Sequence, residues 1–181
     1  MSAPEVHIFS CLRDNYGYLL HDPESGLTAS IDTPEETPIL QALDKRGWQL
    51  THIMNTHHHW DHTGANLALK EQTGCTIIGP RTDADRIPGI DVKVGDGDRF
   101  EFGLQSMEVY EVPGHTRGHI ALRMPEHGIA FTGDTLFAMG CGRLFEGTAE
   151  QMWESLQKML AWPDDTQIYC GHEYTLNNGR F

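Results

Sequence analysis

Short runs rich in apolar residues over 6–10, 16–20 and 27–31 are separated and followed by the DN, DPESG and DTPEE segments, which carry turn chemistry. The pattern predicts an opening meander of three short strands. Between residues 35 and 46 the spacing changes to that of a helix, with Ile39, Leu40 and Leu43 on one face. Thr33 is its expected N-cap, Pro34 its first position and Gly47 its stop. A strand over 51–55 follows, then a helix over 63–72 closed by Gly74, then a strand over 76–78. This rhythm of strand and helix places helices on the outside of a sheet.

From residue 92 to 124 the helical spacing disappears and GDGD, FG and PG turns divide apolar runs, with clean alternation over 107–112. A second sheet is expected there. A further strand over 128–132, a helix over 149–161 presenting Met152, Leu156, Met159 and Leu160, and a last strand over 167–170 complete the prediction. No repeat, low-complexity tract or linker interrupts the chain, so one domain over residues 1–181 is expected.

The chain has 181 residues, enough for a core that needs no staples. Its formal charge of −13 argues against nucleic acid or an anionic membrane as a partner, since either needs a basic face. Its four cysteines are scattered without a Cys-x-x-Cys pair, which suggests reduced thiols rather than a disulfide framework. With no secretory leader pattern and no apolar run of membrane-spanning length, the expectation is a cytoplasmic monomer acting on a small molecule.

The segment Thr56-His57-His58-His59-Trp60-Asp61-His62 changes the picture, because it sets four imidazoles and a carboxylate within six positions at a strand end. In an extended stretch alternate side chains share a face, so His57 and His59 can reach one ion while His58 and Trp60 point away. Asp61 and His62 are adjacent, so the chain must turn there and present them to a second ion. Imidazole and carboxylate donors favour zinc, iron or manganese over calcium. Three more donors, His115 in VPGHTRGH, Asp134 in FTGDTLF and His172 in YCGHEYT, each follow an apolar run beside glycine. Loops at strand ends are where rigid scaffolds display functional groups. Any one of these residues alone reads as an ordinary surface polar group; together with the first cluster they read as a site for two ions. His119 is expected to support a ligand without being one. His7, His21, His52, His58 and His127 are expected at surfaces or in satisfied hydrogen bonds.

The T-H-x-H-x-D-H pattern over residues 56–62 resembles the signature of the metallo-β-lactamase superfamily. Within it, THHHWDHTGAN, VPGHTRGH, FTGDTLFAMGCGRLFEGT and CGHEYTLNN look like the glyoxalase II family of hydroxyacylglutathione hydrolases across nearly the whole chain. The resemblance implies an α/β fold, an αββα sandwich of two mixed sheets with helices outside. It implies a first ion on His57, His59 and His115, a second on Asp61, His62 and His172, and Asp134 bridging them. Zinc comes first as the metal, with iron or manganese as alternatives. Arg143, Leu144, Phe145 and Tyr174 match the family's substrate contacts, although the family often has Tyr at the position of Phe145. The family normally continues into a C-terminal helical domain that helps to bind glutathione. Here the sequence ends at Phe181, so that part of the substrate site is expected to be missing. The implied reaction converts S-D-lactoylglutathione to D-lactate and glutathione, by attack of a metal-bridging hydroxide that Asp61 and Asp134 orient. A β-lactam or phosphodiester substrate at the same centre, or a metal-binding domain without activity, are the alternatives.

Overall fold

The computed structural model describes residues 2–181. Strands β1 (Glu5–Cys11), β2 (Asn15–His21) and β3 (Thr28–Ile31) form the opening meander. Helix α1 (Glu36–Arg46) leads to β4 (His52–Met54), and helices α2 (Trp60–Thr63) and α3 (Asn66–Thr73) lead to β5 (Thr76–Pro80) and β6 (Val92–Val94). These strands make a six-stranded sheet in the order β1-β2-β3-β4-β5-β6, antiparallel at the start and parallel from β3 onward. Strands β7 (Arg99–Phe102), β8 (Gln105–Glu111), β9 (Ile120–Met124), β10 (Ile129–Gly133) and β13 (Gln167–Cys170) make the second sheet. Only its β10–β13 pair is parallel. A ribbon of β11 (Leu136–Phe137) and β12 (Gly140–Cys141), helix α4 (Ala149–Leu160) and helix α5 (Thr175–Arg180) complete the chain.

Strand alternation decides the layers. Leu20, Ile31, Met54 and Ile78 from the first sheet meet Val109, Leu122 and Phe131 from the second in one buried cluster. Their neighbours in sequence, Leu19, Ile53 and Ile77, face the other way and pack with Ile39, Leu43 and Leu69 of α1 and α3. On the far side Ala121 and Ala130 of the second sheet receive Met159 and Trp162 from α4 and the turn after it. The result is the αββα sandwich expected.

Several boundaries differ from the pattern. Val92–Val94 pairs with β5 and extends the first sheet rather than opening the second. Thr33 does not cap α1: Glu35 takes the N-cap position, while the Thr33 hydroxyl donates to Asn66 Oδ1 inside the protein. Gly47 does close the helix, in the left-handed conformation that glycine adopts without a Cβ penalty. The helix read over 63–72 is split into α2 and α3 at Gly64–Ala65, and its first turn already includes Asp61 and His62. On α4 the buried side is Met152, Ser155 and Met159, and Leu160 is 70% exposed, so the apolar stripe is narrower than its composition suggested. None of the four cysteines is disulfide-bonded, and among the described residues no helix is long and apolar enough to cross a membrane.

Candidate dinuclear metal centre

Five strand ends deliver the polar residues. Asp32 follows β3, Thr56 to His59 follow β4, His115 lies beyond β8, Asp134 follows β10 and His172 follows β13. Because β10 and β13 run parallel with Gly133 opposite Cys170, Asp134 and His172 emerge side by side. A backbone bond from Gly171 N to Gly133 O at 2.8 Å locks that placement.

His57 Nε2 and His115 Nε2 each lie 3.1 Å from His59 Nδ1. Three ring nitrogens around a tetrahedral zinc, with Zn–N bonds of about 2.0–2.1 Å, would stand roughly 3.3 Å apart, so this spacing suits a shared ion. On the other side His62 Nε2 and His172 Nε2 are 3.3 Å apart, with Asp61 Oδ2 at 3.6 and 3.4 Å from them respectively. Asp134 spans the two groups: Oδ1 lies 3.4 Å from His62 Nε2, and Oδ2 lies 3.3 Å from both His115 Nε2 and His172 Nε2. Asp134 Oδ1 is buried and has no hydrogen-bond partner among the described residues. A buried, orphaned oxygen on a carboxylate that spans two sets of nitrogen donors is what a cation would satisfy.

The outward-facing ring nitrogens explain which way the others point. His62 Nδ1 donates to Asp32 Oδ2 at 2.8 Å, His172 Nδ1 to Asp14 Oδ1 at 2.9 Å, and His115 Nδ1 to the Arg143 carbonyl at 2.9 Å. The Thr56 hydroxyl gives its proton to Asp32 Oδ2 and so accepts from His57 Nδ1 at 3.0 Å. In each of these four histidines the acceptor holds a proton on Nδ1, so that Nε2 is the nitrogen turned toward an ion. His119 is the reverse case. Its Nε2 accepts the Asp134 backbone N–H at 3.0 Å, so that nitrogen is taken and the ring can only brace its neighbour His57, on which it stacks.

The two triads differ in charge. Burial, with the neighbouring imidazoles, lowers the pKa of His57 well below its ordinary value and that of His59 to about 4, and burial also lowers His115. These rings are neutral at pH 7. Burial acts the same way on His62 and His172, but Asp134, Asp32 and Asp61 overcome it at His62, and Asp134, Asp61 and Asp14 at His172. Their pKa values rise to about 8 and about 10. Burial works against ionisation of Asp134 and Asp61, yet the surrounding histidines hold Asp134 at about 2 and Asp61 lower still.

Glycine makes room for this convergence. A Cβ on Gly171 would overlap Asp134 Oδ1 and stand 3.0 Å from His62 Cε1. Gly171→Ala is therefore expected to displace the carboxylate and lower turnover by about a hundredfold, with loss of bound metal. Metal content and rate measured on one preparation check this; values equal to the parent would show that Asp134 has slack.

A cleft of ≈ 690 Å³ opens over the centre. Arg143, Phe145 and Tyr174 line it, and so does Trp60, whose predicted position away from the site is corrected to the rim. Phe145 sets its ring edge-on against His59 and His115, and Tyr174 stacks on His172 at 4.9 Å. Leu144 is 44% exposed and is not part of the lining. Asp14, Asn15, Asp32 and Thr56 escape sequence reasoning as site residues. Asp32 had one available signal, a carboxylate ending an apolar strand; it adopts φ 57°, a left-handed conformation that Asp tolerates better than most residues.

Residues 24–172 match the model of the metallo-beta-lactamase superfamily. The chain is 61% identical over its whole length to the hydroxyacylglutathione hydrolase of Rhizobium meliloti (strain 1021), covering 71% of that protein. Among solved structures it is similar to ETHE1 from Myxococcus xanthus (TM-score 0.82, 32% identity, 96% of this chain and 76% of that one). It is also similar to TTHA1623 in a di-iron-bound form (TM-score 0.77, 27% identity, 93% and 92%).

Proposed function

The chain belongs to the metallo-beta-lactamase superfamily, and from that premise we propose that it works as a hydroxyacylglutathione hydrolase, a metal-dependent enzyme that cleaves glutathione thioesters. The substrate proposed is S-D-lactoylglutathione, released as D-lactate and glutathione, and residues 1–181 are proposed as the catalytic unit. His57, His59 and His115 are assigned to one divalent ion, Asp61, His62 and His172 to a second, and Asp134 to both. Zinc is the metal proposed, and the same donors suit iron, in keeping with the di-iron form of TTHA1623, or manganese. The observation that carries this reading is the Asp134 carboxylate, buried between two triads with one oxygen unpartnered among the described residues.

Divalent ions held there supply Lewis acidity, polarising a carbonyl and bringing the pKa of water to about 7. The protein's own part begins with Asp61 and Asp134, which stay ionised and so accept hydrogen bonds from the attacking water and orient it. Arg143 offers a guanidinium to the carboxylates of a glutathione moiety, and Phe145 offers an apolar wall beside His59 and His115. The leaving group is a thiolate, whose conjugate acid has a pKa of about 8.5, so cleavage needs no strong general acid. That matches a cleft whose neutral histidines are all committed elsewhere.

Metal analysis and thioester turnover on the same preparation test the proposal. Two ions per chain, with thiol release that disappears on chelation and returns with added metal, are expected. Two bound ions with no thiol release above the metal-free control would sink it, and faster turnover of a β-lactam or a phosphodiester would overturn the substrate assignment.

A further inference from the structure

One cluster of ionisable side chains beside the centre takes no part in the chemistry above. The His58 ring, carried between two ligands, turns away from them. Its Nδ1 donates to Asp83 Oδ2 at 3.1 Å and its Nε2 accepts from Arg86 Nη1 at 3.1 Å. Arg86 Nη2 also donates to Asp83 Oδ1 at 2.6 Å and to Glu146 Oε2 at 2.9 Å, and Nη1 pairs with Glu146 Oε1. Glu146 accepts in addition the backbone N–H of Arg117 at 2.9 Å. The ligand atoms of His58, Asp83 and Glu146 are close enough to share an ion. The Arg86 guanidinium already lies among them, however, so the cluster is a closed network rather than a third metal site.

What the network joins is specific. His58 sits in the loop that carries His57 and His59. Arg117 lies two residues beyond His115. Glu146 lies in the loop that supplies Arg143 and Phe145 to the cleft, and that loop's Arg143 carbonyl also fixes His115. Asp61, His62 and His172 are held by other partners, namely Asn15, Asp32 and Asp14. The fork of Arg86 can hold two carboxylates and a ring nitrogen in one plane, which a lysine cannot reproduce.

Resting on the two-ion assignment above, we propose that His58, Asp83, Arg86 and Glu146 form a positioning network that sets the first triad and the 143–147 loop as one unit. The affinity of the first ion and the KM for the thioester are thereby tied to each other and separate from the second ion. His58→Ala and Glu146→Gln should each weaken the first ion by about 10–100-fold, the usual consequence of losing a group that orients ligands. They should raise KM while kcat at saturating metal stays near that of the parent.

The test measures stepwise metal affinities by chelator competition, together with kcat and KM, on the full chain. The same variants in an Asp61→Ala background report the first triad alone. His58→Asn, which restores a donor towards Asp83, should recover part of both losses. Ile39→Val, which lowers stability from a distant core position, should move neither affinity nor KM. Unchanged ion affinities and KM in His58→Ala and Glu146→Gln would overturn the network proposal. So would equal weakening of both ions. A parent chain that binds only one ion overturns the two-ion assignment alone, because the tie between that ion and KM is still read from the same variants.

Discussion

Replacing Asp134 by Ala is expected to leave a chain that binds at most one divalent ion and hydrolyses the thioester at least about a thousandfold more slowly, a loss of roughly 4 kcal/mol of transition-state stabilisation. The size follows from position. Among the described residues no other carboxylate reaches across both triads: its oxygens lie 3.3–3.4 Å from His115 of the first and from His62 and His172 of the second. Without it, two cations would stand near each other with Asp61 as the only carboxylate of the two triads and no shared anion to offset their repulsion. Asp134→Asn is the sharper companion, since it keeps the volume and backbone bonds and removes only the charge. Counting bound ions and measuring turnover on both variants settles the matter. Hydrolysis at the parent rate in either would refute the assignment of Asp134.

The density of histidine made the first candidate ligands legible before any fold was known. Few structural needs place imidazole at alternate positions of a strand end and then repeat it beside an aspartate. The rhythm of strand and helix placed helices outside a sheet and the family resemblance implied the layer order, while the two-faced packing of pairs such as Leu19–Leu20 and Ile53–Met54 is seen only in the structure. Less visible was everything that depends on distant segments meeting. Asp14 and Asp32 lie in turn-rich stretches that composition explains without any role, yet each fixes the proton of a histidine at least thirty positions away. His58 was read as pointing away from the ions, and its contacts depend on Arg86, brought beside it by the β4–β5 pairing, and on Glu146, which comes from a segment distant in sequence. Thr33 misled for the same reason: a buried amide, Asn66, competed for its hydroxyl and won over the helix end.

The unequal protonation of the two triads leads to the other large effect, a second ion whose affinity climbs with pH more steeply than that of the first. At pH 7 His57, His59 and His115 are neutral and accept an ion without releasing protons. His62 and His172, with pKa values raised to about 8 and about 10, each hold a proton that the ion must displace. Two displaced protons give an affinity that rises about 100-fold per pH unit below pH 8, then about tenfold per unit as His172 alone remains protonated. The same shifts set the stability of the metal-free protein. A histidine whose folded pKa is raised stabilises the fold fully below its unfolded value of about 6.5. That contribution fades as pH rises through about 8 for His62 and about 10 for His172. Metal-free protein should therefore lose this stabilisation between pH 6.5 and 10, over the range in which the second ion gains the most, so the rise in thermal stability on adding metal should grow with pH. Calorimetric titration in buffers of different ionisation enthalpy counts the protons directly. Release of about two protons at pH 7 over both steps, more with the second ion than with the first, is expected, and equal release at both steps would show that the two triads are not distinguished by charge.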